Sequence, residues 1–134
     1  MKIVILGCGE FGAKLAELFQ QENAEVSVID SNPDAFKKLG KNFKGHTIIG
    51  SGVDREILEK ANVSKAEVFV AAAGKDTTNL MAAQTVNTLF KAPRVIACID
   101  NPVLAGAYEE LNVESFCPTE INAKIVKDLI EKKK

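Results

Sequence analysis

Gly7, Gly9 and Gly12, in the run Gly7-Cys8-Gly9-Glu10-Phe11-Gly12, stand between an apolar, β-branched stretch and a segment of helical period. Glycine at each place does separate work: the first permits a tight turn, the second lets a pyrophosphate approach the backbone, and the third lets a helix sit close to a sheet. A helix that opens there presents free N–H groups and a partial positive charge, so the chemistry implied is the holding of phosphate oxygens. Asp30 closes the next β-branched run, eighteen residues beyond Gly12. That is near the distance at which a carboxylate receives ribose hydroxyls. Alone, Asp30 reads equally as a solvated turn acid before Ser31 and Asn32; the glycines favour the ribose role. A carboxylate there repels a 2′-phosphate, and no arginine follows at once to neutralise it, which favours NAD or an adenosine phosphate over NADP.

Other reactive side chains are few. His46 is the only histidine, and it falls at the start of the third strand-like run, on the expected adenine half of the crevice. Cys8 lies beside a helix N-terminus that could lower its pKa and make the thiol reactive; the alternative is a small filler residue. Cys98 and Cys117 read as buried apolar residues. Lys75 on the crevice rim could meet a phosphate or face water. No pattern suggests nucleophilic catalysis or a metal site, and a hydride-transfer enzyme would need a group to handle the proton.

These residues must be positioned by the rest of the chain. Its 134 residues are one domain's worth, and 46% hydrophobic against 26% charged residues is an ordinary globular balance. Seventeen Lys and Arg against eighteen Asp and Glu leave a net charge of -1, so no global positive field exists for nucleic acid. Three widely spaced cysteines fit neither a disulfide framework nor a paired-Cys zinc site, and point to a reducing cytosol. No apolar run approaches the ~20 residues of a membrane span, and no signal peptide is evident, so a soluble, non-exported protein is expected.

Short β-branched runs alternate with helix-period segments throughout, the pattern of βαβ units and a parallel sheet. Strands are expected at residues 2–6, 25–29, 46–49, 67–72, 94–99 and 115–117, mostly apolar on both faces because helices cover them. Helices are expected at 11–21, 33–43, 55–61, 76–90, 102–111 and from 120 onward. Asn32 before Pro33 supplies a capping side chain ahead of a proline at the first helical position, and Asp76 and Asn101 are read as caps of the same kind. Split as two βαβαβ halves, the six strands give the doubly wound Rossmann-type order 3-2-1-4-5-6, with helices on both faces and a crevice at the carboxyl ends of strands 1 and 4.

A longer pattern lies downstream: Gly50-Ser51-Gly52-Val53-Asp54 followed by Leu58, Ala61 and Asn62; Ala66-Glu67; Val70 through Leu80; then Val95-Ile96-Ala97, Asn101-Pro102 and Leu111. Over residues 1–118 the chain resembles the RCK/KTN (TrkA-N) nucleotide-binding domains, the cytosolic regulators of Trk and Ktr potassium uptake systems and of many ligand-gated potassium channels. The resemblance implies a homodimer, assembled into larger rings on the cytosolic face of a membrane-embedded potassium transporter or channel. Binding of NAD(H), or of AMP, ADP or ATP, would change domain geometry and so gate ion flow. It also implies that Gly7, Cys8, Gly9, Glu10, Phe11 and Gly12 hold the phosphates, and that Asp30, with Ser31 beside it, takes the ribose. Ser51 and Gly52 would line the adenine pocket, while Ala72, Ala73 and Gly74, on to Asp76, border the crevice from the fourth strand.

Many members of that family carry arginine where Glu10 stands, facing terminal phosphates. A glutamate there adds repulsion and favours NAD(H) or AMP over ATP. The family's smaller C-terminal sensing module is not in the sequence, which suggests an isolated domain or part of a longer protein. Residues 119–134 form instead a helix with Ile121, Ile125 and Leu129 on one stripe and a surplus of lysines, either capping the sheet or crossing to a partner subunit. The expected role is a non-catalytic regulator; the alternative is the cofactor-binding portion of an NAD-dependent oxidoreductase.

Overall fold

The computed structural model describes residues 1–91, 93–107 and 113–132. Strands β1 (Lys2–Leu6), β2 (Glu25–Asp30), β3 (His46–Ile49), β4 (Val68–Ala71), β5 (Arg94–Cys98) and β6 (Glu114–Phe116) form one sheet in the order β3-β2-β1-β4-β5-β6. Every pairing is parallel. Helices α1 (Glu10–Gln21), α2 (Arg55–Lys60), α3 (Asp76–Leu89), α4 (Pro102–Ala107) and α5 (Pro118–Glu131) connect or follow them. The expected order is therefore the observed one, with strand ends displaced by a residue or so.

Side-chain alternation on the central strands builds two apolar layers. Ile3 and Ile5 of β1 face one way, with Val26 and Val28 of β2, and pack under Ala13 and Ala16 of α1. Val4 and Leu6 face the other way and meet Leu58 of α2 and Val86 of α3. Each such aliphatic side chain, fully buried, contributes about 1.5–3 kcal/mol. The sheet is thereby fixed in register, since a slip of one residue would exchange its two faces.

Four expectations change. The second connection is a 3-10 helix over Pro33–Leu39 rather than an α-helix reaching Phe43, although Asn32 caps it as expected by accepting from the Asp34 N–H at 3.0 Å. It stops at Gly40, whose φ of 78° leaves the helical region. Because this cover is short, edge strand β3 is not buried: its four residues are exposed or intermediate. Helix α5 does not cap the sheet, for none of its residues is buried. Asp76 is the first residue of α3 and not its cap; Lys75 holds the cap position. Asn101 does cap, accepting from the Val103 N–H at 2.9 Å. The expected continuation of α4 to Leu111 lies outside the described residues.

The turn from β1 into α1 depends on two missing side chains. Gly7 has a φ of 103°, in the left-handed region. A Cβ on Gly12 would run into the carbonyl oxygen of Gly7, which is backbone and has nowhere to go. Gly9 differs: a Cβ there would meet nothing within 4 Å. Gly12→Ala is therefore expected to lower the unfolding free energy by about 1–3 kcal/mol, while Gly9→Ala changes it by less than about 0.5 kcal/mol. Chemical denaturation of the two variants beside the parent checks this, and equal losses would contradict it.

Candidate functional site

Strand order reverses between β1 and β4, so the loops leaving those two strands diverge to opposite faces and open a crevice at their carboxyl ends. The cleft there has a volume of about 960 Å³, within the ~300–1,000 Å³ of small-molecule and cofactor sites. Gly7, Cys8, Gly9, Glu10 and Phe11 line it from the start of α1. Asp30 and Ser31 line it from the tip of β2, and Ala72, Ala73 and Gly74 from the end of β4. Gly12 stands behind the loop, where its role is packing. Ser51 and Gly52 line an adjoining pocket of about 270 Å³ that shares Gly7, Asp30, Ser31 and Ala73 with the main cleft. The structure thus brings together the residues that spacing and resemblance singled out.

Asp30 is held before any ligand arrives. One carboxylate oxygen accepts from the Cys8 N–H at 2.8 Å and the other from the Asn32 N–H at 2.9 Å. The acid at the tip of β2 is thus tied to the glycine loop, and each oxygen keeps lone-pair capacity for a hydroxyl donor. With Gly9 open to approach and α1 beginning directly behind it, the residues present fit a phosphate linked to a ribose.

Sequence reasoning overlooked part of the wall. Ala35 and Lys38 also line the cleft, three residues apart, as one side of a 3-10 helix requires. Phe116, Pro118, Ile121 and Asn122 extend the cleft beyond β5, and the Phe116 ring packs on Phe11 with centroids 5.4 Å apart and planes tilted by 53°. Only their place at or just after the end of the last strand could have signalled them. Lys38 and Lys75 balance Glu10 and Asp30 among the charged residues lining the cleft.

One expectation about reactive groups is corrected, and one open choice is decided. His46 begins β3, and in a parallel sheet that start lies at the opposite end from the crevice; it lines a separate pocket with Gln20 and Lys44. The Cys8 thiol is not activated. Its side chain is fully buried against the Ile3 and Ile5 face of the sheet, and burial, then the neighbouring Asp30 charge, push its pKa up against the smaller opposing pull of Lys38. Burial, followed by Asp100, Asp76 and Cys117, likewise raises Cys98. Among the described residues no group of three or more His, Cys, Asp or Glu could hold a metal ion, and no helix is long and apolar enough to cross a membrane.

Two polar residues of α3 fasten the far side of the crevice. The Asp76 carboxylate accepts from the Asp100 and Asn101 N–H groups at 2.7 and 2.9 Å. The Asn79 amide, buried, bonds to the backbone of Ala73 and Cys98. Asp76 is thus not the cap of its own helix that the local sequence suggests.

Comparison with known proteins gives a consistent family. The chain is 36% identical over 113 residues to the Trk system potassium uptake protein TrkA of Streptomyces coelicolor, an alignment covering 84% of this chain and 51% of that relative. The chain therefore spans about half the length of that relative. Its fold matches the AMP-bound form of the Kef CTD of Shewanella denitrificans with a TM-score of 0.84 at 18% identity, covering 99% of this chain and 84% of that one. It also matches the GsuK channel bound to NAD, with a TM-score of 0.73 at 23% identity over 87% of this chain and 21% of that one. The family model of the TrkA-N domain matches residues 3–117, and with its six parallel strands in the order 3-2-1-4-5-6 the chain belongs to the TrkA-N domain family.

Proposed function

We propose that this chain is a non-catalytic nucleotide-sensing domain of a potassium transport system. It binds NAD(H) or an adenine nucleotide at the carboxyl ends of β1 and β4 and works with an integral-membrane potassium transporter or channel subunit on the cytoplasmic side. The observation that carries the reading is the pre-formed pairing of Asp30 with the Cys8 amide in the glycine loop. It sets a ribose acceptor beside a phosphate-sized opening at a helix N-terminus. The potassium assignment is supported by the name of the Streptomyces relative, and the ligand class by the AMP and NAD held by the two structural neighbours.

Residues 1–118 make up the binding domain in this reading, and the segment that follows, within α5, crosses to a second copy in a homodimer. Its exposed Ile121, Ile125, Val126, Leu129 and Ile130 supply an apolar stripe for that contact. Regulation then needs only that the nucleotide bind two geometries of the assembly with different affinity. The Glu10 carboxylate at the cleft mouth disfavours a terminal triphosphate, so NAD(H) and AMP are preferred to ATP.

Calorimetric titration with NADH, NAD, AMP, ADP and ATP is expected to show binding of NADH or AMP tighter than ATP; no heat with any of the five would overturn the proposal. Asp30→Ala should weaken that binding by about 1–3 kcal/mol, the loss of a half-buried hydrogen-bond acceptor together with the loop it steadies. Gly9→Ala should leave the fold intact yet reduce affinity about tenfold, one added methyl standing where the phosphate approaches. An unchanged affinity in either variant would remove that residue from the site.

A further inference from the structure

The geometry points to Asn79 as the positioning residue of the cleft: its single amide fixes the turn after β4 and the end of β5 together, and through that turn sets the seat of the glycine loop. This rests on the nucleotide reading of the cleft and adds to it a residue that does not itself line the opening.

Asn79 sits in the first turn of α3 and is 1% exposed. Its Oδ1 accepts from the Ala73 N–H at 2.7 Å, and its Nδ2 donates to the Ala73 carbonyl at 3.0 Å and to the Cys98 carbonyl at 2.8 Å. A primary amide offers one carbonyl oxygen and two N–H donors, and here each has a partner. The partners also fix which way the amide faces, since the flipped orientation would set NH₂ against N–H and oxygen against two carbonyls. Ala73 lies beyond the last residue of β4, so its N–H and carbonyl are outside the strand ladder. Asn79 takes the place of the missing neighbour. Cys98 closes β5, so one side chain spans the ends of two adjacent strands.

The consequence reaches the phosphate loop because the 72–74 turn lies directly against Gly7. A Cβ on Gly7 would collide with the Ala72 carbonyl oxygen and stand 2.7 Å from the Ala73 nitrogen. Ala72 in turn donates its N–H to the Leu6 carbonyl at 2.7 Å. A turn freed to drift would press on or withdraw from the loop that receives the phosphates. No other side chain of this size serves one N–H and two carbonyls. Aspartate can accept from Ala73 but turns its second oxygen on two carbonyl oxygens, leucine pairs with none of them, and alanine leaves all three to water or to nothing.

Nucleotide affinity of the whole chain, measured by calorimetry with AMP and with NADH, tests this in Asn79→Ala and Asn79→Asp beside Val86→Ala. Val86 is a buried residue of the same helix that faces the core and not the cleft, so it reports what loss of stability alone does. Both Asn79 variants should bind at least tenfold more weakly, the aspartate the more so, while Val86→Ala with a comparable fall in Tm keeps its affinity within twofold. Asn79 variants that bind within twofold of the parent, or a Val86 variant that loses as much, would overturn the proposal. A parent that binds neither nucleotide would instead overturn the reading of the cleft. Should the Asn79 variants fail to fold, the parent still decides: its Asn79 side-chain NH₂ protons should exchange with water at least tenfold more slowly than those of exposed Asn42, free and nucleotide-bound. Exchange as fast as at Asn42 would overturn the proposal.

Discussion

The architecture turns on how closely α1 can approach the end of β1. With side chains absent at Gly7 and Gly12, the first helix starts against the loop, and its N-terminus comes to the crevice where the sheet order reverses. Any Cβ at position 12 would hold the helix off, and the amide-rich helix end would no longer face the cleft. Asp30 then finds the Cys8 N–H within reach, so the glycine loop and the carboxylate at the tip of β2 are assembled as one piece. Preorganisation of this kind spares binding the cost of ordering the loop.

Most of the scaffold was legible because hydrophobic period is a property of the local sequence. Val4, Ile5, Val26, Val28, Phe69 and Val70 form runs with no polar face, and only a sheet covered on both sides accepts such runs in its middle. Asn32 with Pro33 and Asn101 with Pro102 announced helix starts, and both caps formed. What stayed hidden depended on direction or on distant partners. Whether residues 33–39 wind with three or 3.6 residues per turn depends on marginal energies that Gly40 and the packing of Phe36 and Leu39 decide. His46 was placed correctly at the start of its strand but wrongly beside the crevice, since the strand's start and the crevice lie at opposite edges of a parallel sheet.

The candidate site divides in the same manner. Gly7, Gly9, Gly12 and Asp30 were readable because their chemistry needs fixed spacing along one βαβ unit. For Cys8 the sequence left a reactive thiol and a small filler both open, because helix-terminus electrostatics and burial pull in opposite directions and only the fold shows that burial is the larger influence on that thiol. Asp76 and Asn79 look like ordinary residues of a helix start, yet their partners sit at positions 73 and 98–101. No local pattern distinguishes a carboxylate that caps its own helix from one that fastens a neighbouring loop. Lys38, Phe116 and Asn122 were unreadable for a related reason, being brought in from three separate elements.

One wall of the cleft belongs to a rod. Pro118, Ile121 and Asn122 come from the opening turns of α5, and the remaining turns project away with no buried residue, a shaft of about 14 Å at ~1.5 Å per residue. At its root the shaft is pinned by the Thr119 hydroxyl donating to the Asp100 carboxylate at 2.7 Å. Tilting a shaft about a root shifts its base little and its far end much, and the reverse also holds. Force applied to the outer turns of α5 is therefore carried to residues that line the mouth of the cleft.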